Sequence, residues 1–125
     1  MRILLSLLVL SACVGSELPT EADVGAARGL SLFEQNCAAC HGATGQGGLG
    51  PDLTLLSRRA DGTFPRDRVM AQIDGLARHG DGDAVMPEFG ADGLGDTVIV
   101  EHDGIGTPVP ADLLALTTYL ETIQR

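Results

Sequence analysis

The segment "NCAACHG", Asn36 to Gly42, constrains this chain more than any other. Cys37 and Cys40 stand three residues apart, and His41 follows directly. Two thiols and an imidazole this close together serve one of three chemistries: a redox dithiol, half of a zinc site, or covalent attachment of haem. The flanking sequence has to discriminate among them.

Upstream, Ala26, Leu30, Phe33 and Cys37 recur at i, i+4, i+7 and i+11, one face of a helix. Thr20 precedes Asp23 by three, a capping-box-like start for that helix. Downstream, His41 to Leu53 reads "HGATGQGGLGPDL", too rich in glycine for helix or strand. The motif therefore lies at the end of a helix and opens a loop. A thioredoxin-type dithiol needs the reverse, a helix N-terminus whose dipole lowers a thiol pKa. A closed zinc site needs four ligands, usually in two pairs. Here only His79 and His102 remain, in separate loops, where both read as solvated surface residues. Haem attachment needs what is present: two thiols for the two vinyl groups on one ring edge, and an adjacent imidazole for the iron. A sixth ligand would then come from a loop farther along the chain.

Composition agrees. The 125 residues amount to one domain, and 44 % are hydrophobic, yet there are three Phe, one Tyr and no Trp. With 17 Gly as well, the chain is short of the large rings that usually anchor a core, and a haem would supply one. Asp and Glu number 17 against eight Arg and no Lys, which disfavours nucleic acid and anionic lipid as partners. A partner protein with a basic docking patch fits this charge better, and acidity that simply keeps a small protein soluble fits it equally well.

The opening "MRILLSLLVLSAC" sets one Arg before an apolar run from Ile3 to Leu10. That run is far short of the roughly 20 residues that cross a bilayer, but it suits a secretory signal. Its "LSAC" ending resembles the lipobox of bacterial lipoproteins, in which the cysteine is lipidated; the alternatives are an ordinary export signal cut after Ala12 or a start codon assigned too late. The expected organisation is a signal peptide over 1–12, lipidation at Cys13, a flexible tether over 13–20 and one domain over 21–125. Cys37 and Cys40 then remain as a pair, with no thiol left over.

Along the rest of the chain, residues 54–60 predict a short helical turn carrying Arg58 and Arg59. A second helix is expected from Pro65 to about Ala77, burying Val69, Ile73 and Leu76. "TVIVEHDGIGTPVP" alternates like a strand and turns at Asp103-Gly104, which predicts a small β-hairpin. After Pro110, Leu113, Leu116, Leu120 and Ile123 line one face of a last helix, with Tyr119 at its edge.

The segments "GLSLFEQNCAACHGATGQGGLGPDL", "VMPEFG" and "LLALTTYL" together resemble the class I c-type cytochromes, small mono-haem electron carriers, over roughly Ala22 to Gln124. The resemblance implies an all-α cytochrome c fold, its N- and C-terminal helices crossing around one covalently bound haem c, with the β-hairpin inserted before the last helix. It implies thioethers at Cys37 and Cys40, His41 as proximal ligand and Met86 as distal ligand. It also implies that a carbonyl in Gly50-Pro51 positions the imidazole, and that Gly29 and Phe33 cross Leu116 and Tyr119. The residues themselves also favour Met86. Met1 leaves with the signal and Met70 falls in a predicted helix, whereas Met86 lies in a Gly/Pro loop long enough to reach across a ring.

The expected function is one-electron transfer between exported or membrane-bound redox partners that dock at an exposed haem edge. A carrier rather than an enzyme is implied, periplasmic and lipid-anchored. Two rivals are a haem-based gas or peroxide binder and a dedicated cytochrome subunit of a membrane dehydrogenase or oxidase complex. The segment 91–109, longer than in most small members of the family, bears on the docking surface rather than on ligation. If both thiols carry haem, Cys37→Ala or Cys40→Ala each loses one thioether. The pyridine haemochrome spectrum then shifts and the holoprotein yield falls, whereas wild-type spectra from both variants would overturn covalent attachment.

Overall fold

The computed structural model describes residues 19, 20, 22–76 and 85–125. The expected signal, Cys13, most of the tether and His79 lie outside the described residues. The elements run α1 (Ala26–Asn36), α2 (Ala38–His41), α3 (Leu56–Arg59), α4 (Arg66–Asp74), a 3-10 turn (Phe89–Asp92), β1 (Thr97–His102), β2 (Ile105–Pro110) and α5 (Ala111–Thr122).

Helix α1 starts at Ala26, later than its sequence signal. Asp23 accepts from the Thr20 amide at 2.8 Å and from its hydroxyl at 2.7 Å. These bonds close a turn ahead of the helix, and Gly25 takes the cap position without a side-chain bond. The buried positions of α1 are Gly29 and Phe33, while Leu30 is 39 % exposed. The face is thus rotated from the expected one, because α5 docks on the glycine. A Cβ at Gly29 would sit 2.0 Å from the Ala115 carbonyl oxygen and 2.6 Å from Tyr119 Cβ. The helices approach backbone to backbone, and Phe33 meets Tyr119 beside the crossing with ring centroids 5.3 Å apart.

Helix α5 is buried along much of its length, through Leu113, Ala115, Leu116, Tyr119 and Leu120. Its first two amides, which no helical carbonyl can satisfy, donate to Asp96 O at 2.7 Å and Leu94 O at 2.9 Å. Val69 and Ile73 bring α4 into the same core. The helix ends where Gly75 adopts a left-handed conformation, φ 94°, so Leu76 is turned out and 68 % exposed instead of buried. Arg28 forks onto Asp112 with two bonds of 2.9 Å, and Arg66 pairs with Glu121. Both pairs are substantially exposed, and such pairs contribute about 0–1 kcal/mol. Fully burying one Phe or Leu contributes about 1.5–3 kcal/mol. Packing, not charge, holds the three helices together.

The hairpin forms as expected. β1 and β2 pair antiparallel from Thr97↔Pro110 to His102↔Ile105. Asp103 and Gly104 turn with φ 50° and 76°, the positive values that a two-residue hairpin turn requires. Val109 is buried and Val100 packs on the core, while Ile99 and Ile105 are exposed. The described residues are mostly helical with one small antiparallel sheet, which fits a cytochrome c fold.

The crossing yields a direct test. Gly29→Val forces a side chain into the Ala115 carbonyl, and overpacking of this kind costs about 1–3 kcal/mol. Chemical denaturation should record that loss; an unchanged midpoint would refute the close approach.

Candidate haem-attachment site

Cys37 interrupts the helical run. Its amide still bonds Phe33 O at 2.8 Å, but its φ of −118° ends α1. Its carbonyl then accepts from the amides of Cys40 and His41, at 3.1 and 2.9 Å, which closes the single turn α2. Cys37, Cys40 and His41 thus stand at i, i+3 and i+4, spacings that share one face of a helical turn.

No disulfide joins the two cysteines, Cys37 partly buried against the core and Cys40 exposed. Burial, with a smaller contribution from Cys40, pushes the Cys37 thiol up to about 11. A redox dithiol needs the opposite, a thiolate stabilised near neutral pH. That direction runs against disulfide exchange at Cys37.

His41 is 9 % exposed, and its Nδ1 lies 2.9 Å from the Pro51 carbonyl oxygen. A carbonyl can only accept, so Nδ1 carries the proton and donates it. In the neutral ring Nε2 is then left with its lone pair, the state a metal ligand requires. The ring lies against Gly50, where a Cβ would sit 2.7 Å from its Cε1 and 2.8 Å from its Nδ1. The glycine loop wraps back on the motif: Gly47 N bonds His41 O and Gly50 N bonds Cys40 O, both at 2.8 Å. It therefore serves as a cradle for one imidazole.

Met86 comes from a separate part of the chain and is partly buried against the core. Gln72 Nε2 on α4 approaches its sulfur at 3.8 Å. The loop that follows docks on the end of α4, Glu88 against Gly75 and Gly90 against Asp74. Met70 packs on the core from α4. Arg59 donates to the Asp52 carbonyl at 2.7 Å, Arg58 is exposed, and His102 ends β1.

Sequence reasoning missed a set of residues beneath this cradle: Asp52, Thr54, Gln124 and Arg125, joined by hydrogen bonds across the fold. Asp52 followed by Thr54 was a readable turn signal, since Asp often bonds the backbone two residues on. Nothing in the sequence tied it to residues some 70 positions away.

The cysteine turn and the lone pair on His41 are what a covalently bound haem requires of a chain. The chain belongs to the c-type cytochrome family described as cytochrome c oxidase, cbb3-type, subunit III, which matches residues 24–101. Its cofactor is haem c, bound covalently. Among relatives, it is 35 % identical over 103 residues to "Cytochrome c550" of Pseudomonas aeruginosa, a match covering 81 % of this chain and 57 % of that protein. It is 48 % identical over 56 residues to "Photosystem II extrinsic protein V" of a Synechococcus species, covering 44 % of this chain and 30 % of that protein. The chain thus spans just over half of one relative and about a third of the other.

Gly50→Ala tests the cradle, because the added methyl displaces the imidazole or the loop. A loss of about 1–3 kcal/mol is expected by denaturant titration. An unaltered midpoint would mean the ring is not held against Gly50.

Proposed function

We propose that this protein is a one-electron carrier whose haem is joined to Cys37 and Cys40 and ligated by His41 and Met86. The observation that carries the reading is the His41–Pro51 hydrogen bond, which fixes the tautomer with Nε2 available. Haem c supplies a one-electron iron couple when bound. The chain's own contributions are separable. The cysteine turn fixes the ring edge, the glycine cradle and Pro51 set the imidazole plane, and the docked 86–90 loop supplies a thioether sulfur. Sulfur ligation favours ferrous iron relative to a second imidazole. A filled sixth position leaves no place for a substrate, in keeping with a carrier rather than an enzyme.

The acidic surface, net charge −9, favours redox partners with basic docking patches at the haem edge. Among the described residues no helix is long and apolar enough to cross a membrane. Membrane association in this reading comes from a lipid on Cys13 after removal of residues 1–12, with 13–20 as tether and the domain over 21–125 in the periplasm. The family's description favours a second reading, a dedicated cytochrome subunit of a membrane oxidase complex with the same ligation. Co-purification with such a complex from membranes separates the two.

Met86→Ala is the decisive variant. It should keep the haem attached while removing the sulfur. The potential should fall by about 0.1–0.3 V, a fraction of the roughly 0.8 V that axial ligands span. The weak far-red absorption of the oxidised protein should vanish, and the reduced protein should bind carbon monoxide. If Met70→Ala or a histidine variant does this instead, the assignment of Met86 fails. If the wild type already binds carbon monoxide readily, gas binding replaces electron transfer.

A further inference from the structure

The Pro51 carbonyl that receives the His41 proton is followed at once by three residues held from several sides. Asp52 Oδ1 accepts from the Thr54 amide at 2.8 Å and from its hydroxyl at 2.6 Å. Arg125 donates from Nε to the Thr54 hydroxyl at 2.7 Å, from a terminal guanidinium nitrogen to Asp52 Oδ2 at 3.1 Å, and from its backbone amide to Thr54 O at 3.0 Å. Gln124 Nε2 donates to Leu53 O at 2.9 Å, and Gln124 Oε1 accepts from the Ser57 amide at 2.9 Å. Arg59 donates to Asp52 O at 2.7 Å, and the Leu53 amide donates to Gly45 O at 2.7 Å.

Thr54 is 3 % exposed while the Arg125 side chain is 58 % exposed, so a buried threonine anchors the cluster and the guanidinium closes it from the surface. Thr54 and Arg125 together hold Asp52 below the usual carboxylate range, which keeps it ionised for the guanidinium. The carbonyls of all three residues, and the amides of Leu53 and Thr54, have partners. A segment bound this completely cannot rotate its neighbouring peptide at low cost, and that neighbour is the Pro51 carbonyl.

We infer that Arg125, acting through Thr54 and Asp52, is a positioning residue for the His41 imidazole, fixing the Pro51 carbonyl that accepts its Nδ1 proton. The inference rests on His41 being an iron ligand. A strong bond at Nδ1 gives the imidazole partial anionic character and favours ferric iron; a looser one raises the reduction potential. Residues just beyond α5 therefore tune an iron ligand on the far side of the sequence. The same α5 crosses α1, which leads into the cysteine turn, so one helix ties attachment and tuning together.

The test compares holoprotein variants. Arg125→Ala should shift the reduction potential to more positive values and speed solvent exchange of the His41 Nδ1 proton, read by NMR of the reduced protein. Arg28→Ala removes another exposed ion pair, between α1 and α5, and should move neither readout. Thr54→Val keeps the buried shape without the hydroxyl and should shift both readouts as Arg125→Ala does, so it carries the test where Arg125→Ala yields no holoprotein. The double variant should add little to either one. Wild-type potential and exchange in both Arg125→Ala and Thr54→Val, or equal shifts in Arg28→Ala, would overturn the inference. A wild-type spectrum without histidine-ligated haem would overturn the ligation reading and this inference with it. That failure shows before any variant is made.

Discussion

Where α1 crosses α5, the backbone of Gly29 comes so near Ala115 that even a methyl group would stand 2.0 Å from the carbonyl oxygen. Few side-chain atoms separate the helices, so their angle and register are set by backbone contact, with Phe33 and Tyr119 locking one side. Cys37 continues directly from α1, and Gln124 and Arg125 continue directly from α5. The crossing therefore fixes the cysteine turn and the residues beneath the histidine cradle relative to each other. A chain with only four aromatic side chains gains rigidity this way.

A second constraint acts on one nitrogen. The Pro51 carbonyl decides which edge of His41 carries the proton, and Gly50 decides how closely the backbone approaches the ring. Neither residue does chemistry. Both determine whether an imidazole at the end of a helical turn has the tautomer and orientation that a metal requires. The glycine loop, which reads from sequence as irregular, is tightly hydrogen-bonded to the turn that it follows.

The hairpin and α4 play different parts. α4 contributes Val69 and Ile73 to the core, and its end receives the loop behind Met86. The hairpin closes over the core with Val109 and presents Ile99 and Ile105 outward. Family membership through residues 24–101 covers the attachment turn, the cradle and the methionine loop, but neither β2 nor α5. The helix that completes the crossing is thus identified by its packing.

Much was legible in the sequence because it depends on local spacing. C-x-x-C-H forces the thiols and imidazole onto one turn, and the leucine periodicity after Pro110 marks the buried face of α5. Asp103-Gly104 supplies the positive φ values of a hairpin turn. Other features follow from contacts between distant segments. Leu30 and Leu76 satisfy a helical period yet face solvent, because α5 docks on Gly29 and Gly75 ends α4 first. The Thr20–Asp23 pair closes a turn rather than starting a helix. The clasp of Arg125 and Gln124 on Asp52–Thr54 has no local signature, since its partners are joined only once α5 has packed. Sequence determined the chemistry of the site, because two thiols and an imidazole are neighbours in the chain. Tertiary structure decided how the imidazole is held, because the carbonyl it bonds is fixed by residues that only folding brings together.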